Sequence, residues 1–328
     1  MSDVTAAGAG VGRSAATGWI GRRVVALGPV LAVVAGILAI WYAAVPPMNI
    51  HWAASRAARA DVAVSVPEGQ SIRSAGAWAL VLRNPGLIPA TYTQDKPRLP
   101  APHQVAAELW STTAGPPVTS NKSLIHHASI TLGATLLGFV FGALGGLLLA
   151  VGIVYNRVMD ASVMPWAIAS QTIPILALAP MIVVVLNSIG VTGLVPKAVI
   201  AAYLSFFPVV VGMVKGLRSP SAIQSDLLHT YNANGWQGFW KLRLPAAMPF
   251  LFPSLKVGIA ASLVGAIIAE LPTGAQGGLG ARLLSGSYYG QTIQIWSALF
   301  AAAILAAVLV GIVGAIQTAT LKRMGFGR

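Results

Sequence analysis

The sequence predicts an all-α membrane protein with six transmembrane helices, on three observations. Of 328 residues 56% are hydrophobic and only 9% charged, whereas a soluble domain carries about 25% charged residues. The charge is missing from long apolar runs and crowded into the gaps between them. No water-soluble core needs apolar runs of such length. The Lys and Arg residues also gather in alternate gaps, as orientation in a bilayer requires.

At 1.5 Å per residue, runs of about 20–26 residues cross a hydrocarbon layer of about 30 Å. Six runs qualify, at 24–44, 129–154, 165–189, 195–215, 250–271 and 293–318. With the N-terminus inside, the cytoplasmic gaps hold Arg157, Lys215, Arg218, Lys241 and Arg243, and the termini Arg13, Arg22, Arg23, Lys322, Arg323 and Arg328. The short outer loops hold only Lys197, near a membrane edge, and Arg282. Both termini are therefore expected in the cytoplasm, in a multi-pass protein. The third and fourth runs are interrupted by Pro174, Pro180, Pro196 and Pro208. Such breaks are tolerated where neighbouring helices or a watery cavity satisfy the freed backbone.

Residues 1–23 read as a flexible cytoplasmic tail. Their run Gly8-Ala9-Gly10-Val11-Gly12-Arg13-Ser14 lacks the first glycine and the lysine of a phosphate-binding loop and follows no strand, so the chain is expected not to bind ATP by itself. The apolar run that follows is too long for a cleavable signal peptide. A net charge of +13 suggests nucleic acid, but no basic helix is interleaved with aromatics, and no nucleic-acid partner is expected. The chain has no cysteine, which excludes a disulfide framework, a thiolate metal site and a cysteine nucleophile.

Residues 45–127 form a long outer loop. The stretch 77–82 is too short to span and is expected on the membrane surface, and 103–111 reads as a short amphipathic helix with Val105 and Leu109 four apart. His126 and His127 are adjacent, point to different faces of a helix, and make no metal pair. Gly138, Gly142 and Gly146 form a smooth stripe that lets another helix approach closely.

The most informative segment is the cytoplasmic loop 216–249. After Ser219-Pro220 a helix is expected, with Ile223, Leu227 and Leu228 on one face. A break follows at Asn232 to Gly235, and a second short helix then carries Trp236, Phe239 and Trp240 and ends at Pro245. Two short helices joined at a left-handed corner, with aromatics presented to the cytoplasm, make a docking element. The other reading is an amphipathic stretch lying on the inner leaflet.

This loop resembles the Glu-Ala-Ala signature of ABC importer permeases, in which Gly follows after three residues and Ile-x-Leu-Pro after nine more. Asp226-Leu227-Leu228 stands where Glu-Ala-Ala would be, Asn232 where the Gly would be, and Leu242-Arg243-Leu244-Pro245 closes the motif. Asp keeps the carboxylate, and Asn is the best non-glycine residue for a left-handed corner. The likeness covers roughly 99–322. Within the family the chain is most similar to the nitrate/sulfonate/taurine branch, through Leu99-Pro100-Ala101-Pro102, Gln171-Thr172-Ile173-Pro174 with Ala179-Pro180, and Phe239-Trp240-Lys241-Leu242-Arg243-Leu244-Pro245. That branch includes importers of pyrimidine-type vitamin precursors. The loop 46–98 is longer than the family usually has.

The resemblance implies a permease core at 128–320 with five spans in the binding-protein-dependent importer arrangement, followed by a cytoplasmic tail at 321–328. It implies a bacterial inner-membrane subunit that is not itself an enzyme. The implied partners are a separate ATP-binding ABC subunit, an extracytoplasmic solute-binding protein, a second permease copy in a homodimer, and membrane lipid. The coupling role falls on Asp226, Leu227, Leu228, Tyr231, Asn232, Gly235, Trp236, Phe239, Trp240 and Pro245. No cofactor and no metal are implied.

For the translocation path the sequence offers polar groups only. Glu270 is the one acidic residue in or beside a span, and a carboxylate there should face a cavity or a partner. Thr273 and Gln276 follow in a glycine-rich re-entry, Tyr288 comes next, and Gln171 and Thr172 sit near the middle of the third span. The same groups could instead satisfy backbone breaks and interhelical contacts. The alternative function is an ion-coupled secondary transporter, which calls for inverted halves and intramembrane ionisable residues.

Overall fold

The computed structural model describes residues 15–271 and 277–326, with side chains from residue 28. The described elements are all helical. In chain order they are α1 (Ala15–Arg59), α2 (Ala77–Arg83), a 3-10 turn (Pro85–Leu87), α3 (Ile88–Thr91), α4 (Pro102–Ala114), α5 (Leu124–Tyr155), α6 (Arg157–Ser170), α7 (Ile175–Ser188), α8 (Leu194–Leu217), α9 (Ala222–Thr230), α10 (Gly235–Gly238), a π-helical turn (Phe239–Arg243), α11 (Leu244–Glu270), α12 (Leu279–Tyr288) and α13 (Thr292–Arg323). Five helices are long and apolar enough to cross a membrane, and the bent pair α6–α7 makes a sixth if it is one span. The chain divides into two compact units, Met1–Gln104 and Val105–Arg328.

In the first unit α1 differs from the sequence expectation at both ends. It starts at Ala15, within the expected tail, and runs through Pro46 and Pro47 to Arg59, fifteen residues beyond the expected end at 44. The rest of the expected tail, with the run from Gly8 to Ser14, lies outside the described residues. Proline should stop a helix because it has no N–H for the carbonyl four residues back. For Pro46 that carbonyl is Tyr42, and the Tyr92 hydroxyl donates to it at 3.1 Å. The helix therefore continues into what reads as a loop.

Beyond it, Ile50 of α1 packs with Ala75, Leu80 and Val81 in a small apolar core. The stretch expected to lie on the membrane surface is thus α2, folded against α1. Its outward side chains, Trp78, Leu82 and Arg83, stay exposed.

The second unit is centred on α5, α8 and α11. The glycine stripe of α5 lies against α8. A Cβ at Gly138 would sit 2.7 Å from the Ala198 carbonyl oxygen, one at Gly142 2.7 Å from that of Ala202, and one at Gly146 2.8 Å from that of Phe206. Helix α8 meets α11 in the same way, with Gly216 against Ala247 and Gly265 against the Ala201 backbone. In lipid the hydrophobic effect does not drive helices together, so backbone-close packing of this kind must do it. Ser262 adds a hydrogen bond to the Thr135 carbonyl at 2.8 Å. The large apolar side chains that remain exposed, among them Phe141, Leu148, Val184, Ile304 and Ile312, face outward as a bilayer requires.

The expected third span, 165–189, is not one kinked helix. Helices α6 and α7 meet at 99° across a short break. Pro174 leaves the Ser170 carbonyl without its helical donor, and the Tyr203 hydroxyl of α8 supplies one at 2.6 Å. The break is therefore held open by a bond from a neighbouring helix.

Gly142 and Gly145 separate tight packing from mere helix propensity. Both lie on α5, but a Cβ at Gly145 would meet nothing within 4 Å. Gly142→Leu is expected to destabilise the detergent-purified protein by about 1–3 kcal/mol or to prevent its accumulation, as overpacking does. Gly145→Leu should melt like the parent. Equal melting of the two variants would contradict the close α5–α8 approach.

Candidate functional site

Two sites stand out in the second unit. The first is an exposed elbow, residues 221–243. Helix α9 begins with a capping box: Ser221 Oγ accepts the Gln224 N–H at 3.4 Å, and Gln224 Oε1 accepts the Ser221 N–H at 3.0 Å. It ends on Asn232, whose φ is +56°. The Asn232 N–H reaches the His229 carbonyl at 2.9 Å and the Ala233 N–H the Leu228 carbonyl at 3.0 Å. This is the paired closure in which a left-handed residue ends a helix, a place that Asn fills when Gly does not. A second capping box, Asn234 with Gln237, restarts the chain at once.

The helix that restarts there does not end at Pro245, as the sequence suggests. It runs unbroken from Gly235 to Glu270. The π-helical turn Phe239–Arg243 makes this possible, because its widened ladder, with the Leu244 N–H reaching back to the Phe239 carbonyl, leads into Pro245 without needing the proline's missing N–H. The second half of the elbow, from Gly235, is thus one helix with α11.

Leu227, Tyr231, Trp236 and Trp240 are exposed on the elbow, Tyr231 and Trp236 by more than 70%. Asp226, Asn232 and Gly235 are also exposed, and Leu228, Phe239 and Pro245 are half-buried. Phe239 packs edge-on to Tyr155 at the end of α5, and the Arg243 guanidinium lies 5.1 Å from the centre of the same tyrosine ring. Trp236, Phe239 and Trp240 form one aromatic cluster, with ring centres 5.3–6.5 Å apart. The elbow therefore presents Trp236 and Trp240 as an exposed aromatic face, backed by Phe239 on Tyr155.

The second site closes the far end of α11. Glu270 is fully buried. Its carboxylate accepts the Thr131 hydroxyl of α5 at 3.0 Å and the Gly280 N–H at 2.9 Å, and lies 3.6 Å from Lys197 Nζ of α8. Lys197 also donates to the Gly277 carbonyl at 3.1 Å. Thr131 Oγ1 in turn accepts the Leu279 N–H at 2.8 Å, and His127 Nδ1 the Gly278 N–H at 3.1 Å. Gly278, at φ +123°, lies directly on the carboxylate, where any side chain would collide with it. One carboxylate thus ties α5, α8 and α11 to the segment 277–280.

The other residues expected on the translocation path are not gathered with it. Gln171 and Thr172 are exposed at the α6–α7 break, and Tyr288 is 78% exposed at the end of α12. Thr273 and Gln276 lie outside the described residues. Reading the sequence missed Thr131 and His127 as partners of the Glu270 cluster, because they lie some 140 residues away along the chain. It also missed Lys256, a lone cation inside the apolar run of α11, half-buried beside Gly314 of α13. One charge within such a run was the available signal. Among the described residues no group of three His, Cys, Asp or Glu could hold a metal.

Residues 142–325 match the family described as binding-protein-dependent transport system inner membrane component. The chain is 29% identical to the riboflavin transport system permease protein of Chloroflexus aurantiacus, over 67% of this chain and 78% of that one. It is 30% identical to the formylaminopyrimidine transport permease protein of Halalkalibacterium halodurans, over 49% and 62%. It is 22% identical to the nitrate import permease protein of Leptolyngbya laminosa, over 66% and 75%.

Removing the Glu270 carboxylate would strand Lys197, the Thr131 hydroxyl and the Gly280 N–H together. Glu270→Ala is expected to lower stability by about 3–5 kcal/mol, the usual cost of breaking a buried pair on one side. Glu270→Gln should cost less, and Lys197→Met should be milder in a Glu270→Gln background than alone. Thermal unfolding of the four purified variants measures this. Additive losses would show that the two side chains are not coupled.

Proposed function

The chain belongs to the binding-protein-dependent transport system inner membrane component family and is an ABC importer permease, and on that premise we propose how it works. The elbow 221–243 docks into a separate ATP-binding subunit on the cytoplasmic side, and a solute-binding protein delivers cargo on the other. The chain pairs with a second permease copy and has both termini in the cytoplasm. Its cargo is a small solute of the nitrate, sulfonate or pyrimidine-type class. The relatives' names support the class, and the Lys and Arg distribution supports the orientation.

One observation carries the coupling role: an exposed aromatic elbow continues without a break into α11, the helix that ends on Glu270. Movement imposed on Trp236 and Trp240 would pass along this helix to the segment held by Glu270. Gln171, Thr172, Thr273, Gln276 and Tyr288 are the proposed polar lining of the path, and Glu270 acts on it through the segment it holds. The lone acid and its structural partners favour a permease over an ion-coupled transporter, which needs ionisable groups free to titrate along its route.

Substitutions at the elbow test this. Asn232→Gly should transport like the parent, because Gly adopts a positive φ freely. Asn232→Val should lose transport, since a β-branched residue there is strained by about 1–3 kcal/mol. Trp240→Ala should weaken retention of the ATP-binding subunit by about 2 kcal/mol, roughly thirtyfold, as loss of an aromatic anchor does. Asp226→Ala should weaken it less. Solute uptake and pull-down of the ATP-binding subunit are the measurements. Parent-like values for both Asn232→Val and Trp240→Ala would leave the elbow as a surface linker.

A further inference from the structure

We propose that the first unit carries a binding site for a small polyanion, at a cationic cavity between α1 and the two turns pinned to it. The cavity has a volume of about 930 Å³, at the upper end of the range for small-molecule sites. Its walls bring together Arg59, Arg73, Lys96 and Arg98, from three separate places in the chain, and no carboxylate is among the lining residues. Asp95, next to Lys96 in sequence, is not part of the wall. Four positive side chains around one concavity repel one another and focus a positive field into it. Guanidinium groups match phosphate, sulfonate and carboxylate oxygens two at a time.

Buried polar side chains hold the walls in place. Asn49 of α1 is 1% exposed and binds the segment that carries Lys96 and Arg98 at three points and the end of α3 at a fourth. Its amide donates to the Thr91 and Leu99 carbonyls, at 3.2 and 2.8 Å, and its oxygen accepts the Arg98 and Leu99 N–H groups, at 2.8 and 3.2 Å. Gln94, 2% exposed, donates to the Asn49 carbonyl at 3.0 Å. On the other side His51 bonds the Ala75 carbonyl at 3.0 Å, which fixes the turn that carries Arg73. Trp52 supplies a flat wall between them. These bonds preorganise the backbone that carries the cations, so a ligand has only their exposed side chains to order. The site lies outside residues 142–325 and does not depend on the permease reading.

The test uses the full chain in phosphatidylcholine nanodiscs and inorganic pyrophosphate as the probe, by titration calorimetry. Salt of about 0.15 M reduces the reach of a diffuse field to about 8 Å. Saturable binding of one pyrophosphate per chain is expected. Arg73→Glu and Arg98→Glu should each weaken it about tenfold or more, and the neutral Arg73→Gln and Arg98→Gln less. Arg83→Glu makes the same charge change at an exposed position outside the cavity and should leave binding within about twofold. These side chains are exposed, so the variants should melt like the parent.

A second arm replaces about a third of the lipid with phosphatidylglycerol. Loss of pyrophosphate binding there would assign the site to an anionic lipid headgroup, and unchanged binding to a soluble polyanion. Absence of saturable binding, or equal loss in Arg83→Glu, would overturn the site.

Discussion

The close approach of α5, α8 and α11 is the contact on which the second unit depends. Lipid gives apolar helices no reason to prefer one another, so association must come from backbone-close packing and a few polar bonds. Gly138, Gly142 and Gly146 bring α5 onto α8, and Gly216 and Gly265 bring α8 and α11 together. Only where these three helices lie so close can the Thr131 hydroxyl, Lys197 and Glu270 meet at one point. A bulkier stripe would spread the helices and strand a buried carboxylate.

The same core gives the elbow its reach. Helix α11 lies along α8 for most of its length, with the π-turn and the aromatic cluster at one end and Glu270 at the other. A helix packed in this way moves as a rigid element, because a close-packed interface shifts between arrangements instead of deforming smoothly. In the coupling proposed above, docking at one end and a polar clasp at the other would be the two ends of one lever. Tyrosine hydroxyls solve a related problem twice: Tyr92 and Tyr203 donate to the carbonyls that Pro46 and Pro174 leave free. At these two prolines the freed carbonyl has a donor from elsewhere in the fold.

What the sequence showed and what it hid divide along one physical line, the range of the interaction. Local patterns were legible: the apolar runs, the glycine stripe on α5, and the left-handed corner, which the likeness to the permease signature puts at Asn232 and where φ is +56°. Contacts with distant residues were not. The Tyr42 carbonyl that Pro46 leaves free is met by Tyr92, fifty residues further along, and the 99° break of α6–α7 is held by Tyr203. The helix through Pro245 needs a π-turn that no local pattern announces. Glu270 was picked out as a carboxylate in need of a partner, but nothing nearby in sequence named Thr131 or Lys197. Lys256 was legible as a single charge in an apolar run and was passed over.

The most direct measurement of the coupling role uses the natural absence of cysteine. Thr230→Cys places one thiol on the exposed end of α9. An impermeant maleimide should leave it unlabelled in intact cells and label it in inverted membrane vesicles. Co-assembly with the ATP-binding subunit should then protect it in those vesicles. Labelling from the outside of intact cells, or full reactivity in the assembled complex, would contradict the assignment of the elbow as the point where ATP-driven motion enters the permease.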